Sequence, residues 1–295
     1  MVKKYGELFL RARRELKETE GENAANAARA LLSYASGKST AVLIADRELY
    51  ASEEIEQKLD ELVARMLRGE PLAYVLGCWD FCGLTLEVTP DVLIPRDDTM
   101  AVTELAIEAC RTMPAPQRVL DLCTGSGCIG LAVAHAVESA RITLADVSAA
   151  ALAVAKRNIA SFHMSGRVMA FEVNALLPPP KFIGQFDLIV SNPPYVTKEE
   201  MTELPSSVRD FEPALALDGG EDGLDFYRAI CGQFAAALKP GGQLCLEFGF
   251  GQQLAVGQIM AENGFYDLHF QKDWRGVTRA VSGKKRKIIK QTFDI

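Results

Sequence analysis

The feature that most constrains the fold is a regular alternation of short apolar runs with helical patterns in the last two thirds of the chain. The apolar runs predict strands. They lie at residues 119–122, 142–145, 168–173, 186–191 and 243–248, with two later runs at 266–271 and 277–281. Helical patterns separate most of them, notably at residues 129–137, 149–160 and 223–238. The alternation therefore predicts an α/β fold with a mostly parallel, seven-stranded sheet and helices on both faces.

The part of the chain before this alternation has other patterns. Residues 1–75 repeat apolar side chains at helical spacing, which predicts a small helical domain. Residues 76–98 alternate apolar and polar side chains around Gly83, which predicts a β-hairpin that links two domains. A helix over residues 99–111 then begins the α/β domain, predicted to span residues 99–283, and residues 284–295 form a basic tail.

Composition argues against several classes of protein. The net charge of −7 has the sign opposite to that of most proteins that bind nucleic acid through phosphates. Only the basic tail, with Lys284, Lys285, Arg286, Lys287 and Lys290, leaves a contact with RNA or an acidic partner open. No apolar run approaches the roughly 20 residues of a membrane span, and the N-terminus is too charged for a signal peptide, so we expect a cytoplasmic protein. The scattered cysteines and histidines predict neither disulfides nor a metal site.

A glycine-rich turn follows the first strand of the predicted sheet, in the run VLDLCTGSGCIG that begins at Val119. Glycine at positions 125 and 127 allows a sharp turn and the close approach of a ligand, and the helix that follows exposes unpaired N–H groups. An acid, Asp146, ends the next strand, where it would bind ribose hydroxyls. The candidate cofactor-binding residues are Asp121, Cys123, Thr124, Gly125, Ser126, Gly127 and Asp146.

Asp121 distinguishes between two nucleoside cofactors. The glycine pattern alone also matches the dinucleotide fingerprint of NAD-binding proteins. A carboxylate at the end of a buried strand, however, requires a positive partner. The α-ammonium of S-adenosylmethionine would supply one, directly or through water, whereas a pyrophosphate would be repelled. The turn therefore favours S-adenosylmethionine.

The fourth strand leads directly into Asn192-Pro193-Pro194-Tyr195. Two prolines cannot extend a central strand, so the chain leaves the sheet at the edge where parallel sheets bind ligands. The Asn192 side-chain oxygen and the Pro193 carbonyl can accept both hydrogens of a planar NH₂ group, and the Tyr195 ring can stack on it. The tetrapeptide predicts methyl transfer to a planar amide or amine nitrogen, with Asn192, Pro193 and Tyr195 as catalytic residues.

Together these motifs resemble the release-factor glutamine N5-methyltransferases of the PrmC/HemK type, which are class I S-adenosylmethionine-dependent methyltransferases with a Rossmann-like sheet. The segments GEPLAYVLGCWDFCGLTLEVTPDVLIPR and VRDFEPALALDGGEDGLDFYR extend the resemblance from about Gly69 to Gly283. It implies methylation of the glutamine in the Gly-Gly-Gln loop of class 1 peptide-chain release factors, with S-adenosylhomocysteine as the second product. The resemblance also implies that the helical domain and the hairpin bind the release factor. It implies that residues 192–195 hold the glutamine of the release factor, and that Asn192 also lies beside the cofactor.

Several positions depart from the pattern of that family. Cys123 replaces the first glycine of the turn, so the backbone there should not need a positive φ. Asn174 and Ala175 stand where the family commonly has an acid and an aromatic residue around the adenine, so we expect weaker cofactor affinity than usual. IPRDDT replaces the usual IPRPET, which retains Arg96 as a candidate substrate contact or ion-pair partner.

Three other functions remain open at this point. An adenine or cytosine amino-N-methyltransferase acting on DNA or RNA would use the same tetrapeptide, although such enzymes need a basic groove or an added recognition domain. An NAD-dependent oxidoreductase would explain the glycine pattern, but residues 99–283 contain no Tyr-x-x-x-Lys and the tetrapeptide would be unexplained. A catalytically inactive scaffold is supported only by Asn174, Ala175 and the altered IPR segment.

Overall fold

A computed structural model describes residues 2–286. Within this range the chain forms thirteen α-helices and nine β-strands. The helices are α1 Tyr5–Glu15, α2 Lys17–Glu20, α3 Ala24–Ser36, α4 Thr40–Ala45, α5 Glu53–Leu67, α6 Leu72–Leu76, α7 Met100–Thr112, α8 Cys128–Ala136, α9 Ala149–Ser161, α10 Lys198–Glu203, α11 Ser206–Arg209, α12 Asp225–Gly232 and α13 Gln253–Glu262. The strands are β1 Cys78–Phe81, β2 Leu84–Glu87, β3 Arg118–Leu122, β4 Arg141–Asp146, β5 Val168–Glu172, β6 Phe186–Ser191, β7 Leu238–Glu247, β8 Phe265–Lys272 and β9 Thr278–Lys285. No helix of the described part is long and apolar enough to cross a membrane.

Contacts divide the chain into two compact units. The first runs to Cys78 and also takes in Pro205–Phe211, and the second comprises Trp79–Leu204 and continues from Glu212. The first unit is helical and has its own apolar core, which includes Leu8, Leu31 and Leu59, each fully buried. The longest of its helices, α5, begins at Ser52, whose hydroxyl accepts a hydrogen bond from the Ile55 amide at 3.3 Å.

The second unit contains the seven-stranded sheet, in the order β5-β4-β3-β6-β7-β9-β8. The pairs β3–β4, β3–β6, β4–β5 and β6–β7 are parallel, whereas β9 pairs antiparallel with both β7 and β8. This is the Rossmann-like, mostly parallel methyltransferase sheet that the sequence predicts, and the prediction of the fold class is confirmed.

Alternate residues of the central strands face opposite cores. Val119 of β3 and Leu188 and Val190 of β6 belong to one cluster, which also contains side chains of α7, α8 and α9. Leu120 and Ile189 belong to the other cluster, which contains side chains of α12 and α13. The period of two along a strand thus buries both faces of the sheet, which is why these strands read as continuous apolar runs.

The hairpin β1–β2 packs into the core of the second unit through Phe81, Leu84 and Leu86. Asn158 of α9 holds its end, because the side chain accepts a hydrogen bond from the Glu87 amide at 2.7 Å and donates one to the Glu87 carbonyl at 3.0 Å. The same Asn158 amide also donates to the carbonyl of Ser126, in the glycine turn, at 2.9 Å. The hairpin and the turn therefore share one buried side chain.

Two boundaries differ from those expected from sequence. The helix expected over residues 223–238 consists of α12 and a separate 3-10 turn, Phe234–Ala237, since β7 already begins at Leu238. The sheet also extends into the expected tail: Lys284 pairs with Asp267 at 2.7 Å, and Lys285 donates to the Leu238 carbonyl at 3.2 Å. The Arg286 amide donates to the Gly264 carbonyl at 3.1 Å, and the remaining basic residues of the tail, Lys287 and Lys290, lie outside the described residues.

Candidate active site

A cavity lies at the carboxyl ends of four parallel strands, among the residues that follow β3, β4, β5 and β6. This is the edge where α/β sheets bind ligands. The predicted site residues that line it are Cys123, Thr124, Gly125, Ser126, Asp146, Asn174, Ala175, Asn192 and Pro194. The predicted residues that are absent from its wall are Asp121, Gly127, Pro193, Tyr195 and Arg96.

The turn after β3 requires a left-handed backbone at its first position. Cys123 has a φ of +59°, so the expectation that this residue needs no positive φ is wrong. The physical reason is the path of the chain: the Thr124 amide must reach the Ala145 carbonyl of β4, to which it donates at 3.0 Å. A left-handed conformation costs an L-residue roughly 1–2 kcal/mol, so the turn stores strain next to the cavity.

Two glycines of the turn serve different purposes. Gly125 lines the cavity at a φ of +54°, and a side chain added there would meet no other atom within 4 Å. It is therefore open on the side of the cavity, as expected for close approach of a ligand. Gly127, in contrast, has a φ of +87°, and a Cβ there would lie 3.1 Å from the side chains of Leu131 and Leu144. Packing against the sheet, and not a ligand, excludes a side chain at Gly127.

Asp121 lies beneath the turn, fully buried. Its Oδ2 accepts hydrogen bonds from the Thr124 hydroxyl at 2.5 Å and from the Gly130 amide at 2.8 Å, and burial raises the pKa of the carboxyl to about 7. The sequence predicts that this carboxylate interacts with the α-ammonium of the cofactor, directly or through water. In the structure the turn and α8 donate to Oδ2, and the buried Oδ1 has no partner among the described residues, so Asp121 positions the turn and its interaction with a cofactor stays a prediction.

Asp146, unlike Asp121, lines the cavity. One carboxylate oxygen accepts from the Gly125 amide and the other from the Ser148 amide, both at 2.9 Å. Burial raises the pKa of Asp146, against these two hydrogen bonds, which lower it. Each oxygen retains a second acceptor position. The carboxylate is therefore fixed in orientation and can still accept hydrogen bonds from vicinal hydroxyls.

The wall after β5 carries the two positions that depart from the family pattern. The Asn174 side-chain oxygen accepts a hydrogen bond from the Leu176 amide at 2.9 Å, which holds the side chain at the cavity wall. Ala175 is buried and packs into the core beside α12. No aromatic ring is present at this position, and apolar surface on the wall comes instead from Leu215 and Phe226.

The loop after β6 is held from both sides. Ser191, the last residue of the strand, donates to the Leu122 carbonyl at 2.5 Å. On the other side, the Gln252 side-chain amide donates to the Tyr195 carbonyl at 3.2 Å, and its oxygen accepts from the Gly249 amide at 2.9 Å. With two prolines between these anchors, the loop has little conformational freedom.

Within this held loop, two acceptors remain without an internal partner. The Asn192 amide nitrogen donates to the Thr99 hydroxyl at 3.3 Å, which leaves its side-chain oxygen as the free end. No hydrogen bond within residues 2–286 uses that oxygen or the Pro193 carbonyl. Both acceptors are therefore available to donors of a ligand. The pair is suited to bind a group with two N–H donors.

Tyr195 packs beside these acceptors and not on the cavity wall. Its ring lies against Gly249, where a Cβ would come within 2.9 Å of Tyr195 Cδ2. Burial raises the pKa of the Tyr195 hydroxyl, and the nearby carboxylate of Glu247 raises it further. The phenol therefore stays neutral and cannot act as a base at ordinary pH.

Arg96 has a partner within the second unit. Its guanidinium forms a close ion pair with Glu212, and the Glu212 carboxylate also accepts from the Ile94 amide at 3.2 Å. Glu212 has only 1% of its side chain exposed, so Arg96 compensates a buried charge. Of the two roles expected for Arg96, the structure shows the ion pair.

Sequence reasoning missed several residues of the cavity. They are Asp91, Val92, Leu93 and Pro95 after the hairpin, Thr99, Val147, Ser148, the loop residues Pro213, Leu215 and Ala216, and Phe226. Except for Phe226 of α12, these lie in irregular segments or short 3-10 turns, where no period marks which side chain turns inward. Most of them lie in the segments DVLIPR and FEPALAL, which belong to the resemblance and could have indicated them.

The fold and this site together define a class: a Rossmann-like methyltransferase with a cofactor cavity beside an Asn-Pro-Pro-Tyr loop. The family described as Methyltransferase small domain matches residues 100–208, and the family described as PrmC N-terminal domain matches residues 7–77. A solved methyltransferase structure from Pyrococcus furiosus, 20% identical, aligns with a TM-score of 0.50 over 76% of this chain and 97% of its own. That likeness shows the fold alone.

Closer relatives narrow the class. A release factor glutamine methyltransferase from Geobacter sulfurreducens is 44% identical over 225 residues, which cover 76% of this chain and 76% of the relative. The protein of the same description from Clostridium acetobutylicum is 34% identical over 278 residues, which cover 94% of this chain and 97% of the relative. The chain belongs to the release factor glutamine methyltransferase family, and the resemblance to the PrmC/HemK type is confirmed.

Proposed function

We propose that this protein transfers a methyl group from S-adenosylmethionine to the side-chain amide nitrogen, N5, of the glutamine in the Gly-Gly-Gln motif of peptide-chain release factors. The observation that carries the proposal is the pair of unbonded acceptors, the Asn192 side-chain oxygen and the Pro193 carbonyl, in a loop held rigid beside the cavity. Relatives at 34–44% identity carry the description release factor glutamine methyltransferase, which supports the same substrate.

The cavity residues fit S-adenosylmethionine. The fixed carboxylate of Asp146 is suited to the ribose hydroxyls, and the open side of Gly125 leaves space for the cofactor against the turn. The Asn174 side chain would meet the adenine edge, with Leu215 and Phe226 as apolar surface. When bound, S-adenosylmethionine supplies a methyl group attached to a positively charged sulfur. The acceptor side of the site is built by the protein alone.

The amide of glutamine is a weak nucleophile because its nitrogen lone pair is delocalised into the carbonyl, as in a peptide bond. Asn192 and Pro193 accept its two N–H hydrogens and so fix the NH₂ group in one orientation toward the cavity. Methyl transfer would break the methyl–sulfur bond and leave S-adenosylhomocysteine. The nitrogen would gain positive charge, which the same two acceptors would stabilise until one N–H proton passes to water. Tyr195 flanks the loop and offers an aromatic surface, as a neutral phenol, to the flat amide.

The remaining parts of the chain have roles that follow from this substrate. We propose that the helical domain of residues 1–75 and the hairpin of residues 76–98 dock the release factor, and that residues 99–283 carry out the transfer. A translation factor as the substrate places the reaction in the cytoplasm. The acidic net charge makes a nucleic acid an unfavourable partner, and only the basic segment from Lys284 onward would suit one.

Mass spectrometry of a release factor after incubation with the protein and S-adenosylmethionine tests this proposal. The expected result is one added methyl group on the glutamine of the Gly-Gly-Gln motif. A release factor with glutamate in place of that glutamine is the matched control and should stay unmodified. Methylation of DNA or RNA in place of the release factor would overturn the proposed substrate, and failure to bind S-adenosylmethionine in calorimetry would overturn the proposed reaction.

A further inference from the structure

A buried carboxyl lies behind the Asn-Pro-Pro-Tyr loop, and neither the cofactor cavity nor the proposed reaction accounts for it. Glu247 ends β7 and is 1% exposed. Its Oε2 has no hydrogen-bond partner among the described residues. The Thr99 hydroxyl and the Asn192 side chain lie close enough to this carboxyl to lower its pKa. A buried carboxyl with an unfilled oxygen is costly to the fold, so its position beside Asn192 calls for a functional explanation.

The local geometry connects this carboxyl to the substrate acceptor. Asn192 donates to the Thr99 hydroxyl at 3.3 Å, so the hydroxyl hydrogen of Thr99 is free to point elsewhere, and the nearby Glu247 carboxyl has an unfilled acceptor. Asn192 and Thr99 line the cavity, whereas Glu247 does not. Glu247 therefore lies behind the two residues that face the cavity, and its carboxyl lies on the NH₂ side of the Asn192 amide.

Within residues 2–286, no cation forms a salt bridge with Glu247. Arg279 of β9 lowers the pKa of Glu247, but its guanidinium is bound to Asp98 at 3.0 Å and to Asp273 at 3.4 Å. The charged or titratable groups that face the Glu247 carboxyl are Asp98 of the 3-10 turn before α7, Arg279 of β9, Tyr195 of the loop, Tyr227 of α12 and Cys128 of α8. A negative charge at Glu247 thus acts on its surroundings without a paired cation.

We propose that Glu247, acting through Thr99, is a positioning residue that fixes the Asn192 amide with its oxygen toward the substrate and strengthens that oxygen as an acceptor. An anion on the NH₂ side attracts both hydrogens of the amide, which selects one of its two flipped orientations. The same charge, in a low-dielectric site, favours the positive charge that develops on the methylated nitrogen. The inference rests on the proposed function for its substrate, but the orientation of Asn192 can be measured without any substrate.

Burial raises the pKa of Glu247 to about 8, with Asp98 adding to the rise and Thr99, Arg279 and Asn192 opposing it. The positioning charge is therefore gained as the pH rises through this value. The stability of the fold changes in the opposite direction, because a carboxyl whose pKa is higher folded than unfolded stabilises the fold only while it is protonated. Glu247 is expected to favour activity at the expense of stability in alkaline solution.

The first test measures the Asn192 side-chain amide by NMR in the substrate-free protein, with the signals assigned by their loss in Asn192→Ala. In the wild type these signals should shift as the pH passes through the titration of Glu247. In Glu247→Gln the shift should be absent, and Glu262→Gln, which removes an exposed carboxyl at the end of α13, should behave as the wild type. Signals that do not titrate in the wild type, or that titrate equally in Glu247→Gln, would overturn the proposal.

The second test measures methylation kinetics. Above pH 8, where Glu247 carries its charge, Glu247→Gln and Thr99→Val should each lower kcat roughly tenfold, with KM for the release factor and the cofactor affinity little changed, because only the stabilisation of the developing charge is affected. Thr99→Ser, which keeps the hydroxyl, should restore kcat. The rise of the wild-type kcat with pH should be lost in Glu247→Gln. If Glu247→Gln has a normal kcat and a normal pH profile, Glu247 has only a structural role.

Thermal unfolding shows whether the variants fold and provides a third measurement. Glu247→Gln should unfold close to the wild type at pH 4 and at a higher temperature above pH 8, where the wild type carries the buried charge. If the wild type fails to methylate a release factor, the proposed function is wrong. The NMR titration then still decides the role of Glu247, since it needs no acceptor substrate.

Discussion

The turn after β3 and the loop after β6 follow neighbouring parallel strands and meet at the same cavity. They differ in how far their hydrogen-bond acceptors are bound within the protein. In the turn, the carboxylates of Asp121 and Asp146 are each held by two internal hydrogen bonds, although Asp121 Oδ1 and Ser126 Oγ are buried without a partner among the described residues. In the loop, the Asn192 oxygen and the Pro193 carbonyl have no partner within the described residues.

This difference separates two tasks. A turn whose carboxylates are internally bound keeps its shape whether or not a ligand is present, so it is suited to hold the cofactor in a preformed pocket. A loop with unfilled acceptors gains most when a donor arrives, so its hydrogen bonds serve the transient charge on the acceptor nitrogen. Substitutions in the turn should mainly change binding, whereas those in the loop should mainly change turnover.

The largest effect is expected from Asn192→Ala. It removes one of the two amide acceptors and should reduce kcat by roughly 10²–10³, as loss of a single preorganised polar contact does in other enzymes. Steady-state methylation of a release factor measures the rate, and calorimetry should show nearly unchanged binding of S-adenosylmethionine. Asn263→Ala, at the end of α13, is the control and should leave both values alone. An unimpaired Asn192→Ala variant would contradict the division of tasks.

Asp146→Ala should produce the converse result. Loss of a charged acceptor costs about 1.5–3 kcal/mol, so the Kd for S-adenosylmethionine should rise roughly tenfold to hundredfold. At saturating cofactor, kcat should recover most of its value. Asp187→Asn provides a matched control, because this aspartate lies near the opposite end of β6, bound to Lys239 at 2.7 Å. Normal cofactor affinity in Asp146→Ala would remove the ribose assignment.

A smaller gain is expected from Asn174→Asp. One oxygen would keep the bond from the Leu176 amide and the other would carry charge toward the adenine edge. Charged hydrogen bonds are about twice as strong as neutral ones, so the Kd for the cofactor should fall roughly threefold to tenfold. Calorimetry checks this value, and an unchanged or weaker affinity would show that the side chain does not face the adenine.

The smallest effects concern the strained position of the turn. Cys123→Gly relieves the left-handed backbone but loses backbone entropy in folding, so the free energy of unfolding should stay within about 1 kcal/mol of the wild type. Cys123→Val places a β-branched residue at a positive φ and should lose about 1–2 kcal/mol. Denaturant unfolding compares the two. Equal stability of both variants would show that the strain is not real.

The sequence predicted the sheet and much of the cavity, and the reasons are physical. Strands buried on both faces are continuous apolar runs, and the two prolines after β6 mark the edge of the sheet without reference to the rest of the chain. The partners of Asp121 could not be predicted, because whether a buried carboxylate meets a ligand or its own turn depends on where the Gly130 amide lies. The positive φ of Cys123 was hidden by the identity of the residue, since cysteine has no preference for that conformation. Glu247 was missed because β7 reads as an ordinary buried strand.

The side chain of Asn158 has a consequence for how this protein can be redesigned. Its three hydrogen bonds all go to main-chain atoms, of Glu87 and of Ser126. Main-chain atoms are the same in every residue. The hydrogen bonds by which Asn158 joins the hairpin to the turn therefore do not depend on the side chains of the hairpin. A foreign hairpin with the same number of residues should be grafted at this joint without disturbing the turn, provided that it keeps the core side chains of Phe81, Leu84 and Leu86.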